Sequence, residues 1–221
     1  MSDHSDAPER LLQAALEVFA AKGYDGASTR EICRLADVNV AAIHYYFGDK
    51  ASLYREVFRV PEQLGVLPAE MTADAPLRAA LVAFYRHIMA FIVAPKQVQQ
   101  MRLIFLREEL QPSGVLNGVA EAPRRLHEQL TTFLCRAVGA DAVDTAINHL
   151  AFSIGGLSLV LFVQRTQVDQ IAPELLADDA AVEATIQRLA DHGSAMVEAE
   201  RARRANIELR GARLRRATER S

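Results

Sequence analysis

The sequence predicts an all-α protein, and three observations support this prediction. Half of the 221 residues are hydrophobic, whereas only 11 are glycine. Ala, Leu, Arg and Glu, which favour helices, dominate the composition, and runs of β-branched residues are few. Apolar residues also recur at helical spacing along most of the chain. A chain of this length can bury one sizeable core or two small ones.

The N-terminal part predicts two helices in succession. The first runs from about Pro8 to Lys22, and Gly23 ends it. The second begins after Ser28, which has the S-x-x-E spacing of a capping box with Glu31. In a capping box the two side chains bond backbone N–H groups at the helix start. The apolar side of the first helix is expected to support the elements that follow.

A third helix, from Val40 to Phe47, follows after a tight turn. Asn39 before it and Gly48 after it are residue types that favour helix caps. At about 100° per residue, Ile43 lies on one side of this helix and Tyr45 on the opposite side. Two short helices joined by a turn, the second buried on one side only, are typical of a helix-turn-helix, whose second helix enters the DNA major groove.

The residues of this segment resemble a known family. T-R-E-I, followed by A-A-I-H-Y-Y-F-G-D-K-x-x-L-Y, resembles the signature of TetR-family transcriptional regulators over about residues 8–58. Asp37 stands where that family usually has Gly, and Asp tolerates a left-handed conformation better than most residues. His44 stands where the family usually has Tyr, so a phosphate contact there would depend on pH. The later segment M-R-L-I-F-L-R-E-E-L-Q-P-S-G resembles the CecR-like (YbiH-like) subgroup.

The resemblance implies a set of DNA-contacting residues. Hydroxyl, ring N–H and ammonium donors suit phosphates, while Arg can bond guanine and Ala can contact a thymine methyl group. Contacts to phosphates are implied for Thr29, His44, Tyr46 and Lys50, and positions near base edges for Arg30, Val40, Ala41, Ala42 and Tyr45. Asn39 completes the predicted set. Phe47 is interpreted as a core residue, and Tyr46 fits either role.

Four segments are predicted along the chain. Residues 1–60 form a three-helix helix-turn-helix DNA-binding domain, and residues 61–76, rich in Pro and Gly, form a linker. Residues 77–200 form a C-terminal helical bundle for ligand binding and dimerisation. Residues 201–221 form an Arg-rich tail, interpreted as a solvated helix end that frays, with an accessory arm on DNA phosphates as the alternative.

Bulk charge does not mark the N-terminal domain as a DNA-binding domain. Residues 1–60 carry seven Lys or Arg against nine acidic residues. DNA binding would therefore depend on where single cations lie, and Arg30 and Lys50 flank the predicted recognition helix.

Long helices are predicted for the bundle at residues 77–94, 96–110, 123–138 and 141–167, and from 178 past 196. The helix over 141–167 is apolar on nearly all sides, so it needs more burial than one chain supplies. A Gly-Gly pair inside a helix costs about 1 kcal/mol per residue relative to Ala, which favours close approach of another backbone. The predicted dimer interface contains Ser153, Gly155, Gly156, Leu159 and Phe162. A two-fold homodimer would place two recognition helices ~34 Å apart on a palindromic operator.

A small-molecule effector site is predicted within the same bundle. Apolar walls with a few polar groups are typical of such sites, and equally of a helical core. The predicted effector-binding residues are Phe84, His87, Ile88, Phe91, Met101, Arg102, Phe105, Phe133 and Phe152.

Other functional classes receive little support. No H-E-x-x-H, C-x-x-C, G-x-S-x-G, Walker A or G-x-G-x-x-G motif occurs, so we expect no catalytic site, metal or cofactor. The longest apolar run, residues 150–163, has 14 residues, so we expect no membrane span. The N-terminus is acidic and polar, so we expect no signal peptide. Cys33 and Cys135 lie in separate predicted helices, which fits a reducing cytoplasm.

The sequence thus predicts a cytoplasmic, homodimeric transcriptional regulator that binds double-stranded DNA. Repression released by an effector is the expected mode. Coupling would pass through the fourth helix, which begins at Lys50. Two alternatives stay open at this point. One is a helical protein-interaction adaptor that has lost DNA binding, which would explain the acidic N-terminal domain. The other, less favoured, is a cytosolic enzyme.

Overall fold

The structure, a computed structural model, describes residues 7–57, 66–71, 75–93, 96–116 and 121–218. These residues form ten α-helices and two short 3-10 helices, with no strand among them, which confirms the all-α prediction. The helices are α1 (Ala7–Gly26), α2 (Thr29–Leu35), α3 (Ala41–Phe47), α4 (Lys50–Val57), α5 (Leu77–Ile92), α6 (Lys96–Leu110), α7 (Glu121–Val138), α8 (Thr145–Val163), α9 (Arg165–Ile171) and α10 (Asp179–Thr218). The 3-10 helices are Ala69–Met71 and Pro173–Leu175.

The chain divides into two compact units that do not follow a single border along the sequence. Unit 1 comprises residues 1–65 and 93–124, and unit 2 comprises residues 66–92 and 125–221. Helix α6 therefore belongs to the same unit as α1 to α4, although α5 precedes it in the chain. Much of the predicted linker, residues 61–76, lies outside the described residues. The four predicted domains stay predictions.

Unit 1 has a core to which both parts of its chain contribute. Leu11, Ile32, Leu53 and Ile104, from α1, α2, α4 and α6, are all fully buried. These residues recur on the inner sides of their helices, as the helical periodicity predicts. Ile104 shows that α6 supplies part of the core on which the helix-turn-helix rests.

The start of α2 differs from the prediction. Ser28 occupies the cap position in an extended conformation but makes no side-chain cap hydrogen bond. The Glu31 carboxylate instead binds the Lys22 ammonium group at 2.7 Å. The predicted capping box is therefore wrong, because Glu31 makes a charge-assisted bond to α1 rather than reaching back to Ser28.

The turn and caps around α3 agree with the predictions. Asp37 has φ 53°, the left-handed conformation inferred for this position, and is the one described non-glycine residue with positive φ. Asn39 Oδ1 accepts a hydrogen bond from the Ala41 N–H at 2.9 Å. Gly48 ends α3 with φ 84°. Asp49 Oδ1 accepts from the Ser52 N–H at 2.7 Å at the start of α4, and this bond lowers the pKa of Asp49.

Unit 2 is built around close contacts of α5 with α8 and α10. The buried Tyr85 hydroxyl donates to the Ile154 carbonyl oxygen at 3.0 Å. Burial raises the pKa of Tyr85, so the hydroxyl keeps the proton that it donates. Gly193 of α10 lies against the same ring, because an added Cβ there would be 3.2 Å from the Tyr85 hydroxyl oxygen. The missing side chain at Gly193 therefore permits this packing.

The apolar helix predicted over residues 141–167 is shorter at both ends. It begins at Thr145, because Asp144 Oδ1 accepts from the Ile147 N–H at 2.9 Å and caps it. It ends at Val163, and Gln164 leaves the helical conformation before α9 begins. The apolar run itself ends at residue 163, so the end of this run, rather than residue 167, was the available signal for the break.

Helix α8 has two different sides. Ile147, Leu150 and Ile154 pack into the core of unit 2, whereas Phe152 is 72% exposed. With 19 residues, α8 is long and apolar enough to cross a membrane by length and composition. The 14-residue apolar run over residues 150–163 is therefore shorter than the helix that contains it. A helix packed in the core of a protein can have the same length and composition. The exposed side raises the question of what covers it.

The last helix extends well beyond the predicted boundary at residue 200. Arg204 binds the carboxylates of Asp144 at 2.7 Å and Glu200 at 2.8 Å. Arg201 donates to the Ala137 carbonyl oxygen. Fraying is therefore wrong for residues 201–204, because Arg201 and Arg204 attach the helix to other residues of unit 2 through hydrogen bonds. Residues 205–210 are exposed, and the fraying expected there stays a prediction.

Candidate nucleic-acid interface and effector site

Helix α3 presents one side to solvent and anchors the other. Ile43 is only 3% exposed, and Phe47 packs against the core of unit 1. On the opposite side Tyr45 is 81% exposed, with Ala41 and His44 also exposed. The orientation predicted from the sequence is confirmed, and Phe47 has the predicted core role.

The predicted DNA-contacting residues all lie on α2, on α3 or next to them, and at the start of α4. The exposed ones are Arg30, Asn39, Val40, Ala41, His44 and Tyr45, and the half-buried ones are Thr29, Ala42, Tyr46 and Lys50. Tyr46 packs against the core while its ring meets that of Tyr45 edge-on, with centroids 4.8 Å apart. Tyr46 therefore has at least a packing role. The DNA contacts themselves stay predictions.

The tautomer of His44 follows from its hydrogen bond. Its Nδ1 lies 2.6 Å from the Gly48 carbonyl oxygen. A carbonyl oxygen only accepts, so Nδ1 carries a proton and donates. In the neutral ring Nε2 is then an acceptor, and it becomes a donor only when the ring is protonated. Because a phosphate oxygen also only accepts, a direct bond from Nε2 requires the charged form.

Lys50 has a partner that the sequence did not indicate. Its Nζ lies 4.4 Å from the centroid of the Tyr24 ring. An ammonium group over the face of an aromatic ring is attracted by the ring quadrupole. Tyr24 was missed because it lies in the last turn of α1, beyond Gly23, and no spacing rule connects it with a residue on α4. An aromatic residue directly after Gly23, whose φ of 71° interrupts α1, was the available signal.

The predicted effector residues are divided between the two units. Phe84 and Phe133 are buried in the core of unit 2, and Ile88 packs against it. Met101 and Phe105 pack against the core of unit 1 instead. Helical periodicity could not separate these two sets, because it indicates which side of a helix is buried but not which other helix covers that side.

The remaining effector residues have other surroundings. His87 is half-buried, and burial lowers its pKa. Phe152 lies on the surface, where its ring is 4.6 Å from the ring of His127. The side chains of Phe91 and Arg102 lie outside what the structure describes. A groove along α7 is lined by Arg125, Glu128, Gln129, Thr132 and Arg136, which include none of the predicted residues.

Two of the predicted dimer residues, Gly156 and Leu159, belong to an exposed strip along α8. Ser153, Gly156 and Leu159 are exposed, whereas Gly155 and Phe162 are half-buried. A Cβ added at Gly155 or Gly156 would meet no atom within 4 Å. The sequence did not assign Val160 and Val163 to this surface, yet they are 44% and 56% exposed. We call Phe152, Gly156, Leu159, Val160 and Val163 the α8 strip.

The two cysteines and His127 lie in the described part of the chain, and their surroundings bear on whether they could hold a metal ion. Cys33 and Cys135 are both buried and free, and burial raises the pKa of each thiol. His127 Nε2 lies 2.9 Å from Asn148 Oδ1. The described residues contain no group of three or more His, Cys, Asp or Glu that could hold a metal ion.

Comparison with known proteins relates both parts of the chain to one group. Residues 11–57 match the family described as bacterial regulatory proteins, tetR family. Residues 77–199 match the C-terminal domain of the HTH-type transcriptional dual regulator CecR. The chain is 32% identical over 193 residues to that dual regulator in Shigella flexneri, which covers 77% of this chain and 86% of the relative.

Solved structures show the same fold. HlyIIR, a hemolysin II transcriptional regulator, matches with TM-score 0.60 at 24% identity, covering 85% of this chain and 97% of that one. A TetR-like transcriptional regulator from Rhodococcus sp. RHA1 matches with TM-score 0.61 at 17% identity, covering 88% and 99%. At these identities the likeness concerns the fold alone.

Proposed function

This chain belongs to the TetR family of bacterial regulatory proteins, with a CecR-type C-terminal domain, and from that premise we propose a homodimeric repressor released from its operator by a small-molecule effector. DNA-binding transcriptional regulation is what members of this family do; enzymatic turnover is not. The repressor mode, the dimer and the effector are our proposal. Such a regulator acts on double-stranded DNA in the cytoplasm.

The observation that carries the proposal is the exposed side of α3. Tyr45 is 81% exposed on a helix whose opposite side is anchored by Ile43. The neighbouring Ala41 is small and exposed, so the helix backbone can come close to base edges. Lys50 at the start of α4 supplies a cation for a phosphate, and Arg30 on α2 can bond a base edge. A helix that is exposed on one side and anchored in the core on the other can enter the major groove.

The α8 strip supports a homodimer. Its members are apolar or glycine, and three of them, Phe152, Leu159 and Val163, are at least 46% exposed. The open space beside Gly155 and Gly156 leaves room for the backbone of a second copy. Large exposed apolar patches mark association surfaces. Two-fold pairing through this strip would bring two copies of α3 to a palindromic operator.

The effector is proposed to bind in unit 2, near Phe84, His87, Ile88 and Phe133. Their side chains supply an apolar surround and one polar group. Burial lowers the pKa of His87 and so favours the neutral ring, which can donate from one nitrogen and accept at the other. Release from DNA requires that the effector bind the non-binding conformation more tightly.

The test is binding of the purified protein to a duplex from the region upstream of its own gene, by fluorescence anisotropy over a salt series. We expect log K to fall linearly with log salt. The double variant Tyr45→Ala, Lys50→Ala should lose at least about 100-fold in affinity. Ile171→Ala is the matched control, because Ile171 on α9 is also 81% exposed, and it should bind as the parent does.

The adaptor hypothesis gives the opposite result in the same experiment. It draws on the excess of acidic residues in residues 1–60. An adaptor would bind the upstream duplex no better than a random duplex, and selection of bound fragments across the genome would yield no common site.

The relative CecR is named a dual regulator. A reporter gene behind the selected site would therefore be measured for both repression and activation.

A further inference from the structure

We propose that the C-terminal end of α6 positions the DNA-contacting Lys50 through an aromatic cluster, defined as Phe19, Tyr24 and Tyr54. This inference rests on the proposed function, because Lys50 matters only if it contacts a phosphate. It makes Tyr24, Tyr54, Arg107 and Glu108 positioning residues for DNA binding.

The first step is the contact between Lys50 and Tyr24. The ammonium nitrogen lies 4.4 Å from the ring centroid, and the Lys50 side chain is half-buried. A lysine ammonium group sits on a flexible four-carbon stem and would otherwise sample many positions. The ring restricts the ammonium group to one region at the start of α4, beside the recognition helix.

The second step is the packing that holds Tyr24. Its ring centroid is 5.0 Å from that of Tyr54 and 6.3 Å from that of Phe19. Phe19 and Tyr54 also meet edge-on at 4.6 Å. Because aromatic pairs prefer such defined geometries, a shift of the Tyr54 ring would be passed on to Tyr24.

The third step connects Tyr54 to α6. Tyr54 is 1% exposed, and its hydroxyl donates to Glu108 Oε1 at 2.7 Å. Burial and the nearby Glu108 carboxylate raise the pKa of Tyr54, so the hydroxyl stays protonated and donates. The second oxygen of Glu108 accepts from the Ser113 N–H at 3.1 Å. Glu108 is thereby held between the α4 side chain and the turn that follows α6.

The neighbouring Arg107 holds the other side of the cluster. Its guanidinium donates to the Ala21 carbonyl oxygen at 2.9 Å. Ala21 lies two residues before Gly23, whose φ of 71° turns the chain towards Tyr24. Two adjacent residues of α6 therefore act on Tyr24. Arg107 bonds the chain that leads to it, and Glu108 bonds the hydroxyl of Tyr54, whose ring packs against it. This gives the R-E-E-L-Q-P-S-G segment a physical role that its sequence did not reveal.

A direct consequence concerns regulation. Any change that moves the last turn of α6 relative to α1 and α4 would alter the position of the Lys50 ammonium group. DNA affinity can then change while α2, the turn and α3 keep their structure. Coupling in unit 1 is thus expected to depend on Glu108 and Arg107 as well as on α4 itself.

The test begins without DNA. The chain has three lysines, Lys22, Lys50 and Lys96, so selective ¹³C-lysine labelling gives three ε-methylene signals, and Lys50→Arg assigns one of them. We expect the Lys50 signal to be shifted upfield by the Tyr24 ring. The shift should vanish in Tyr24→Leu and decrease in Tyr54→Phe and Glu108→Gln. Glu109→Gln, at the exposed neighbouring position, is the matched control and should leave it unchanged.

The same variants are then measured on the upstream duplex. Lys50→Ala should flatten the slope of log K against log salt by about 0.9 for each phosphate that the lysine neutralises in the parent. Glu108→Gln should weaken binding in the parent but have no further effect in Lys50→Ala, since both changes act on one interaction. Thermal unfolding followed by circular dichroism confirms that each variant is folded.

The outcomes separate the inference from the function on which it rests. The positioning of Lys50 by α6 is overturned if the Lys50 signal of the parent is not shifted. It is also overturned if neither Tyr54→Phe nor Glu108→Gln changes that shift while the variant remains folded. Additive losses of affinity in Glu108→Gln and Lys50→Ala on DNA overturn it as well. If the signal responds as expected while the parent binds no DNA, the positioning is supported and the proposed function fails.

Discussion

The two exposed faces of this molecule, the outer side of α3 and the α8 strip, differ in what surrounds their apolar atoms. On α3 the exposed Tyr45 carries a hydroxyl, and His44 and Asn39 lie beside it. On α8 the exposed Phe152 and Leu159 share the strip with glycine and valine, and the polar groups Ser153 and His127 lie beside Phe152 at one end of it. The first face can bond polar atoms and suits nucleic acid, whereas the second gains free energy only by being covered. Exposure alone therefore does not identify a partner; the polar atoms at the rim do.

The largest expected effect is on the α8 strip. Phe152→Asp with Leu159→Asp should lower dimerisation affinity by at least a thousandfold, about 4 kcal/mol, because two carboxylates would be buried without partners. Sedimentation equilibrium measures it. Val143→Asp is the control, since Val143 is 48% exposed and Leu159 46%. An unchanged dimer in the double variant would show that this strip is not the interface.

The next effect tests the close approach of α3 to the bases. Ala41→Leu should reduce affinity for the upstream duplex by ten- to a hundredfold, about 1–3 kcal/mol, because the larger side chain holds the helix away from the groove. Stability should hardly change, since Ala41 is exposed. Ala79→Leu, at an exposed position of α5, controls for the substitution itself. If the Ala41→Leu and Ala79→Leu variants bound the duplex with equal affinity, α3 would not be the helix that enters the groove.

A smaller effect concerns His44 and distinguishes the two faces by chemistry. Because His44 Nδ1 donates to the Gly48 carbonyl oxygen, the neutral ring offers only an acceptor, Nε2, to a phosphate. His44→Tyr restores the residue usual in the family and supplies a hydroxyl donor, so it should raise affinity for the upstream duplex by about fivefold, about 1 kcal/mol. Fluorescence anisotropy at constant salt measures the difference. An affinity that this variant leaves unchanged or lowers would show that position 44 does not face a phosphate.

The smallest effect distinguishes the stability of the single chain from the stability of the dimer. Gly156→Ala should raise the free energy of unfolding of the dissociated chain by about 1 kcal/mol, because an added Cβ meets nothing within 4 Å and Ala favours helices. The same change should weaken the dimer. Thermal unfolding in the Phe152→Asp, Leu159→Asp background and sedimentation in the parent background measure the two effects. A dimer strengthened by Ala would exclude close approach at this glycine.

Local signals predicted local structure well where a single residue type is required. Asp37 was assigned a left-handed conformation, and Asn39 was assigned as a cap, because few residues meet those demands. The same reasoning failed at Glu31, where Lys22 on another helix competes for the carboxylate. It also failed at Arg201 and Arg204, where hydrogen bonds attach the helix without an apolar stripe.

The candidate site could be predicted only in part, for a related reason. Tyr45 was assigned to the outer side of α3 because helical geometry relates neighbours in sequence. Met101 and Phe105 were grouped with Phe84 although they pack in the other unit. Burial shows in the pattern of one helix, whereas the identity of the packing partner does not.

By itself, the sequence determined the helical class, the helix-turn-helix, the side of α3 that faces outward and the resemblance to the TetR family. Each depends on residues close together in the chain, where backbone geometry converts spacing into direction. Only the tertiary structure decided that α6 belongs with α1 to α4, that Tyr24 holds Lys50, and that Glu108 accepts from Tyr54. Tyr54 and Glu108 are 54 positions apart in the chain, and Arg107 and Ala21 are 86 positions apart. At such separations the packing of complete helices, rather than local spacing, determines which side chains meet.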